Sequence, residues 1–487
     1  MRAAHIGVIC FLAFVLAASG ASPHERDLRL IEASRRDDAA AVKALAAAGA
    51  DVNARSGDCS TALHWAAQND DLALADLLIA KGAKVDAATD LGVTPLWVAA
   101  TNSGAAMVER LLAAHADPNI APQTGHTPLM ILARQGAAQA VRALLAHGAD
   151  PNAKEAVNGQ TALMWAAAAR HADVVHLLID AHADVRARTR SWTQRMVLCC
   201  QLYGGDHETE AVVAEGGYTP LLFTAQYGDV ETARLLLAAG ADVNDAAADG
   251  ESAVVIAAHV GQSDVGAFLL QSGADANAAG AGYSATHIAA VRGDVALLQA
   301  LLAHGADPNA RVKQGTPTKR VRSGHEIDQR MLGATPFILA AGSGQLEAMK
   351  LLAAKGADPA IATQDGRTAL MVVAGQATTE GPDLRDAVAA QTIRLAVQLG
   401  TPVNQTLAPG GDTALHVAAA WRRDAVVQAL ADSGADLNTR NLAGQTPLTV
   451  ALTPPGTQKG TVADDDYESL VHHTQTAELL RKLGAKT

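Results

Sequence analysis

The feature that most limits what this chain can fold into is a repeat. A Gly-Ala-Asp tripeptide or near copy recurs with its first residue at Gly49, Gly82, His115, Gly148, His182, Gly240, Gly273, Gly305, Gly356, Gly400, Gly434 and Gly484. The spacings are 33, 33, 33, 34, 58, 33, 32, 51, 44, 34 and 50 residues. A dominant period of 33 marks an array of small units in which each contacts its neighbours. One unit, TPLWVAATNSGAAMVERLLAAHADPN (94–119), shows the physical sense of the pattern. Thr94 suits a helix N-cap, and Pro95 the first helical position, where a missing N–H does no harm. Leu96, Val98 and Ala99 give one apolar face, Ser103-Gly104 breaks the helix, and Met107, Val108, Leu111 and Leu112 give a second. Each unit therefore reads as a helical hairpin. Such a pair cannot bury both faces alone and must stack on the next. The chain is 49% hydrophobic but only 3% aromatic, which fits many closely packed Ala-rich helices better than one thick core.

At these residues the chain resembles the ankyrin repeats. The resemblance rests on TALHWAA (61–67), TPLWVAA (94–100), TPLMILA (127–133), TALMWAA (161–167), TPLLFTA (219–225), SATHIAA (284–290), TPFILAA (335–341), TALHVAA (413–419) and TPLTVAL (446–452), each followed by a helix and a Gly-Ala-Asp-x-Asn turn or a near copy of it. It implies an all-α fold: an ankyrin-repeat solenoid of about twelve helix-turn-helix units with finger-loop insertions, spanning residues 22–487. At 8 to 10 Å per helix step, such a stack would run on the order of 100 Å. His115 and His182 replace the turn glycine and would have to accept a left-handed backbone. His64, His287 and His416 sit at the family's structural histidine, where the ring ties the turn together.

The period breaks four times. Insertions fall at about 190–216 and 313–332, between a turn glycine and the next Thr, which places them in the fingers joining consecutive repeats. Two more, at about 376–387 and 453–472, fall between or within paired helices, on the opposite edge of an ankyrin-like stack. Long surface insertions cost little closure entropy, so drift alone could account for them. Two of them nonetheless carry distinctive chemistry. In SWTQRMVLCCQLYGG (191–205), Trp192, Met196, Cys199 or Cys200, and Tyr203 fall at roughly helical spacing and predict either an added helix packed on the stack or a helix or loop presenting aromatics. The stretch Arg311 to Arg330 has six basic and two acidic residues, among them Lys319, Arg320 and Arg322, in a chain of net charge -12. A positive finger on an acidic body suits an acidic partner patch.

The acidic balance repels polyanions and speaks against nucleic acid as a partner. No nucleophile and base stand at meaningful spacing, GHEID (324–328) is not a zinc-binding His-Glu-x-x-His helix, and no cofactor motif follows a strand, so no enzyme and no cofactor are expected. Cys59 lies several repeats from Cys199 and Cys200, too far for a disulfide. Arg2, the apolar run Ile6 to Ala18 and Ser19-Gly20-Ala21 read as a cleaved export signal over residues 1–21, too short to span a bilayer. An exported protein, periplasmic or secreted and of monomer size, is expected, with no membrane span once the signal is removed.

The resemblance also implies where function would lie. Trp65, Trp165 and Phe223 match a position that is inward in the family's first helix and are expected in the core. Tyr218, Tyr227, His259, Tyr283 and Arg292 match positions that face the concave groove and vary with the partner. All five fall between the two finger insertions. Tyr and Arg are residue types that anchor protein interfaces. Arg134 and Trp421 are isolated matches of the same kind. A protein-binding scaffold in the cell envelope, using the central groove and the finger insertions with Lys319, Arg320 and Arg322, is the leading expectation. A small-molecule or metal site built by Cys199, Cys200 and His207, or an effector acting on host proteins, stays open beside it.

Overall fold

The threonines that open the units do what their chemistry allows. The side-chain oxygen of Thr94 accepts a hydrogen bond from the Trp97 N–H at 3.2 Å, with Pro95 at the first helical position, and Thr127, Thr161, Thr219, Thr335 and Thr368 cap their helices in the same way. Each cap satisfies one of the backbone donors left over at a helix start. In the computed structural model, which describes residues 23–198, 209–316, 327, 331–375, 382–407, 410–453 and 467–487, the helices fall into twelve antiparallel pairs. In the unit used above the pair is Pro95–Thr101 and Ala105–Ala113, and Leu96, Met107, Val108, Leu111 and Leu112 are all buried. His115 and His182 do adopt the left-handed backbone, at φ 64° and 63°.

Where the sequence reads Thr-Ala-Leu-His or Ser-Ala-Thr-His, the histidine completes the cap. His64 Nδ1 accepts from the Thr61 N–H at 3.1 Å, and Nε2 stands 3.0 Å from the Val93 carbonyl of the next repeat. A ring that accepts through Nδ1 and faces a carbonyl through Nε2 is the neutral Nε2–H tautomer. His287 with Ser284 and Ala310, and His416 with Thr413 and Gln445, repeat the arrangement.

The chain divides into two compact units. The first holds residues 1–190 and 218–242. Its repeats are joined at the turns by asparagine: Asn53 donates to the Gly82 carbonyl and accepts from the Lys84 N–H, at 3.0 and 2.7 Å, and Asn119 treats Gly148 and Asp150 alike. Asn152 donates to the His182 carbonyl. The following unit has Arg186 in place of asparagine, and its Nε donates to the Gly240 carbonyl at 2.9 Å. The second unit, residues 191–217 and 243–487, uses Asn277, Asn309 and Asn404 toward Gly305, Gly356 and Gly434. At Ala360 the amide is missing, and the residue that would have donated to it is Pro402, which has no N–H.

Three of the insertions can be followed. In a regular finger the Thr89 N–H donates to the Val93 carbonyl, and the Val93 N–H donates to Thr89 Oγ1, closing a turn at Leu91-Gly92. The first insertion opens from that turn and is a β-hairpin: β1, Ser191–Leu198, pairs antiparallel with β2, Thr209–Gly216, Trp192 opposite Glu215. This corrects the helix expected there. Trp192 and Met196 are four apart, which suits a helix, but with Gln194 and Leu198 they equally form a period of two. The β-branched and aromatic content of the segment favours the strand. Among the described residues the fold is thus helical with one hairpin added. In the second insertion the Val312 N–H donates to the Ala334 carbonyl at the same turn position, and Thr316 and Ile327, both buried, hydrogen-bond to each other. The third lengthens a second helix, Pro382–Gln398, at its N-terminal end. Asp386 there receives Nε and Nη2 of the buried Arg423 at 3.0 and 2.7 Å, while Arg423 Nη1 donates to the Val373 carbonyl. The last pair ends in another long helix, Tyr467–Lys482.

Candidate functional site

A first helix buries the residues one, two, five and six places after its cap, as Ala62, Leu63, Ala66 and Ala67 show after Thr61. The fourth place is buried too in most units that hold a smaller side chain there, as with Val98, Ile256, Ile288, Leu339, Val372 and Val450. Trp65, Trp165 and Phe223 occupy this place and are half-buried, not part of the closed core expected for them. The indole N–H groups of Trp65 and Trp165 have no hydrogen-bond acceptor although both nitrogens are shielded from solvent.

In the first unit these side chains form a line. Trp97 Nε1 donates to the His126 carbonyl at 2.9 Å, and the His126 ring meets Trp165 edge-on with 5.0 Å between centroids. The Arg134 guanidinium carbon stands 5.6 Å from the Trp165 centroid on an exposed side chain, a cation over an aromatic face. Further along, the Tyr218 and Phe223 rings lie 5.5 Å apart, and Tyr227 is 44% exposed. Tyr218 and Tyr227 therefore sit at the surface where the sequence predicts them, and Tyr218 also closes the finger by donating its N–H to Thr189 Oγ1.

Gly136 ends the helix that carries Arg134. Its φ is 74°, and a Cβ there would meet the His171 ring at 2.6 Å. That close approach lets His171 Nε2 reach the Arg134 carbonyl at 3.1 Å and fixes the helix end from which Arg134 projects. Glu155 interacts electrostatically with His126 but is turned away from solvent. Its carboxylate accepts from the Val157, Asn158 and Gln160 N–H groups at 2.6, 2.6 and 3.1 Å. Burial pushes its pKa upward, yet those three amides and His126 outweigh it and hold the carboxyl below the usual glutamate range.

In the second unit His259, Tyr283 and Arg292 do come together, around a residue sequence reasoning misses. Glu251 is 3% exposed and accepts from the Tyr283 hydroxyl at 2.7 Å; His259 Nε2 lies 3.2 Å from the same oxygen, within ion-pair reach but out of line for a hydrogen bond. The Tyr283 ring is itself 1% exposed, under the His259 ring at 5.4 Å, edge to face. Tyr283 as a groove contact is thereby corrected: its neighbour offers a buried acceptor, so the large side chain turns inward. Arg292 is half-buried against Gly261, and its Nη1 donates to the His259 carbonyl at 3.0 Å, so it links two repeats. The available signal for Glu251 was its place directly before the cap Ser252, the same place Tyr218 and Tyr283 hold before theirs.

Lys319, Arg320 and Arg322 lie outside the described residues, as do residues 1–21, Cys199, Cys200 and His207. Among the described residues no group of three or more His, Cys, Asp or Glu is arranged to hold a metal ion, and no helix is long and apolar enough to cross a membrane.

Comparison with known proteins agrees with the repeat. A family model described as Ankyrin repeats (3 copies) matches residues 30–121, 100–189, 195–280 and 221–312, more than half of the chain. Ankyrin repeats (many copies) matches 415–453, and Ankyrin repeat matches 332–364. Among solved structures, the crystal structure of the human ASB11 ankyrin repeat domain is similar at 26% identity and a TM-score of 0.40, over 50% of this chain and 96% of that one. No curated protein matches the chain.

Proposed function

The chain belongs to the ankyrin repeat family, whose repeats are generally protein–protein interaction modules, and from that premise we propose that it is a non-enzymatic scaffold binding a protein partner through the first-helix and finger-loop face of its first unit. The observation that carries this reading is the half-exposed line Trp97, His126, Trp165 with Arg134 above it, continued by Tyr218, Phe223 and Tyr227. Core positions in the other helices are filled mostly by Leu, Val, Ile, Met and Ala, with Phe337 buried among them. Large rings kept at the surface, where smaller apolar residues would stack as well, are what an interface anchor looks like.

The test is a bait comparison from the native cell: the wild-type chain against a variant with Trp165→Ala, Phe223→Ala and Tyr227→Ala, both shown folded by circular dichroism. Loss of the captured partner is expected. Equal recovery by both baits counts against this face. We also propose export to the cell envelope, periplasmic or secreted, which rests on the apolar run Ile6 to Ala18 behind Arg2. Fractionation of cells making the chain with and without residues 2–21 tests it, and a soluble cytoplasmic pool for both forms would refute it.

A further inference from the structure

The chemistry of the first-unit face says which kind of segment it takes. We infer that the occupant is an acidic peptide segment, with a carboxylate paired to Arg134 and its chain lying over the half-buried Trp165 ring; this rests on the function proposed above and deepens it.

Three observations meet here. The first is charge. The chain carries 50 Asp and Glu against 38 Lys and Arg. Yet in the five repeats capped by Thr61, Thr94, Thr127, Thr161 and Thr219, no Asp or Glu stands directly before the cap or four, seven or eight residues after it. Those are the positions that hold His126, Trp165, Arg134 and Tyr227. The first-helix part of the face is cleared of acid in a protein otherwise rich in it, the exposed Asp58 and Asp90 standing in the finger loops, and Glu155 is buried and spent on its own loop amides.

The second is Arg134. Among the described residues no carboxylate lies within ion-pair distance of it, and what holds it is the Trp165 face. Its exposed guanidinium presents a planar fork of N–H donors that matches the two oxygens of a carboxylate.

The third is the Trp165 ring itself, half-buried beside the exposed Arg134. A peptide lying over the ring would cover the apolar surface of Trp165 and Phe223. A basic segment would meet Arg134 with like charge, and an apolar one would leave the guanidinium without a carboxylate.

The probe is a phage-displayed library of random linear peptides selected on the immobilised full-length chain. Selected sequences are expected to be rich in Asp and Glu. Their synthetic forms should lose about tenfold in affinity against Arg134→Gln, roughly the worth of one charge-assisted hydrogen bond. They should lose as much when their own acidic residues become Gln or Asn, and binding should weaken with added salt. Arg134 is exposed, so Arg134→Gln keeps the fold; Trp165→Leu, checked by its melting curve, reports whether the face is used at all. Peptides that lose affinity with Trp165→Leu but show no acidic bias, or ignore Arg134→Gln, overturn the acidic partner and leave the binding face standing. Peptides indifferent to Trp165→Leu, or a selection without binders, overturn both. Self-association of the chain that Arg134→Gln abolishes would assign the face to a second copy and overturn the acidic peptide.

Discussion

Thr189 and Tyr218 hydrogen-bond to each other in both directions: the Thr189 N–H donates to the Tyr218 carbonyl at 3.0 Å, and the Tyr218 N–H donates to Thr189 Oγ1 at 2.9 Å. Thr89 and Val93 make the same two bonds with three residues between them. The finger turn is therefore closed in the first unit as in any regular repeat, and residues 190–217 leave and return at its tip.

A variant in which 190–217 is replaced by the Asp-Leu-Gly of residues 90–92 should fold. Closing a turn of three residues instead of 28 favours the shortened chain by about 2 kcal/mol of loop entropy. The backbone links made by Arg190 to Asn158 and by Gly216 to Ala248 have direct counterparts in those of Asp90 to Asp58 and Leu91 to Gln123. A melting temperature equal to or above the parent is expected in differential scanning calorimetry. A fall of more than about 5 °C would mean that the hairpin supports the stack.

The turn asparagines should be worth more than the arginine that replaces one of them. Asn277 donates to Gly305 at 2.9 Å and accepts from the Asp307 N–H at 2.8 Å, while Arg186, which has no acceptor, gives Nε to Gly240. At about 1 kcal/mol per bond, Asn277→Ala should cost about 2 kcal/mol and Arg186→Ala about 1 kcal/mol. Hydrogen exchange of the joined repeats measures both, and equal costs would contradict the count of bonds.

Removing one oxygen at Tyr283 separates stability from binding. Tyr283→Phe keeps the ring under His259 and opens no cavity, but it deprives the buried Glu251 carboxylate of a 2.7 Å donor. A hydrogen bond to a charged group is worth about 1.5 to 3 kcal/mol, so urea unfolding of the variant should move by that amount. The affinity of selected peptides should not change. An unaltered urea midpoint with weakened peptide binding would return Tyr283 to the contact surface.

Much of this was legible beforehand because a period repeats its own evidence. Thr94, Pro95, the break at Ser103-Gly104 and the glycine turns each state the same local rule many times over, so helix pairs, caps and the tip positions of the insertions follow from spacing alone. What stayed illegible depends on a single neighbour. Tyr218 and Tyr283 hold equivalent positions, yet Tyr283 is drawn inward by Glu251 while Tyr218 lies half-exposed against Phe223. The resemblance implies Trp165 in the core, yet its ring stays half-buried at a place that buries the smaller Val98, Ile256 and Ile288. The hairpin misled for a related reason: an interval of four satisfies both a helix and a strand, and only the residues between decide.

Acid should unfold the protein from its histidine caps first. In His287 and His64 burial is the largest influence and disfavours the charged ring, outweighing the nearby carbonyls and carboxylates that favour it; His287 is pushed down to about 4 from an ordinary 6.5, and His64 is lowered as well. The unfolded chain thus takes up these protons at a higher pH than the folded one. Their stabilisation is complete above about pH 6.5 and is lost as pH falls toward 4, where the protonated ring can no longer accept the Ser284 or Thr61 N–H. Melting temperature should fall steadily between pH 6.5 and 4.5, above the range where most carboxylates begin to protonate. The double variant His64→Gln, His287→Gln removes these two titrating rings and leaves a residue able to accept from the cap N–H. It should be less stable at pH 7.5 but lose less across the same interval. A wild-type curve flat through that interval, or a double variant with the parent's slope, would show that the rings are not what acid attacks.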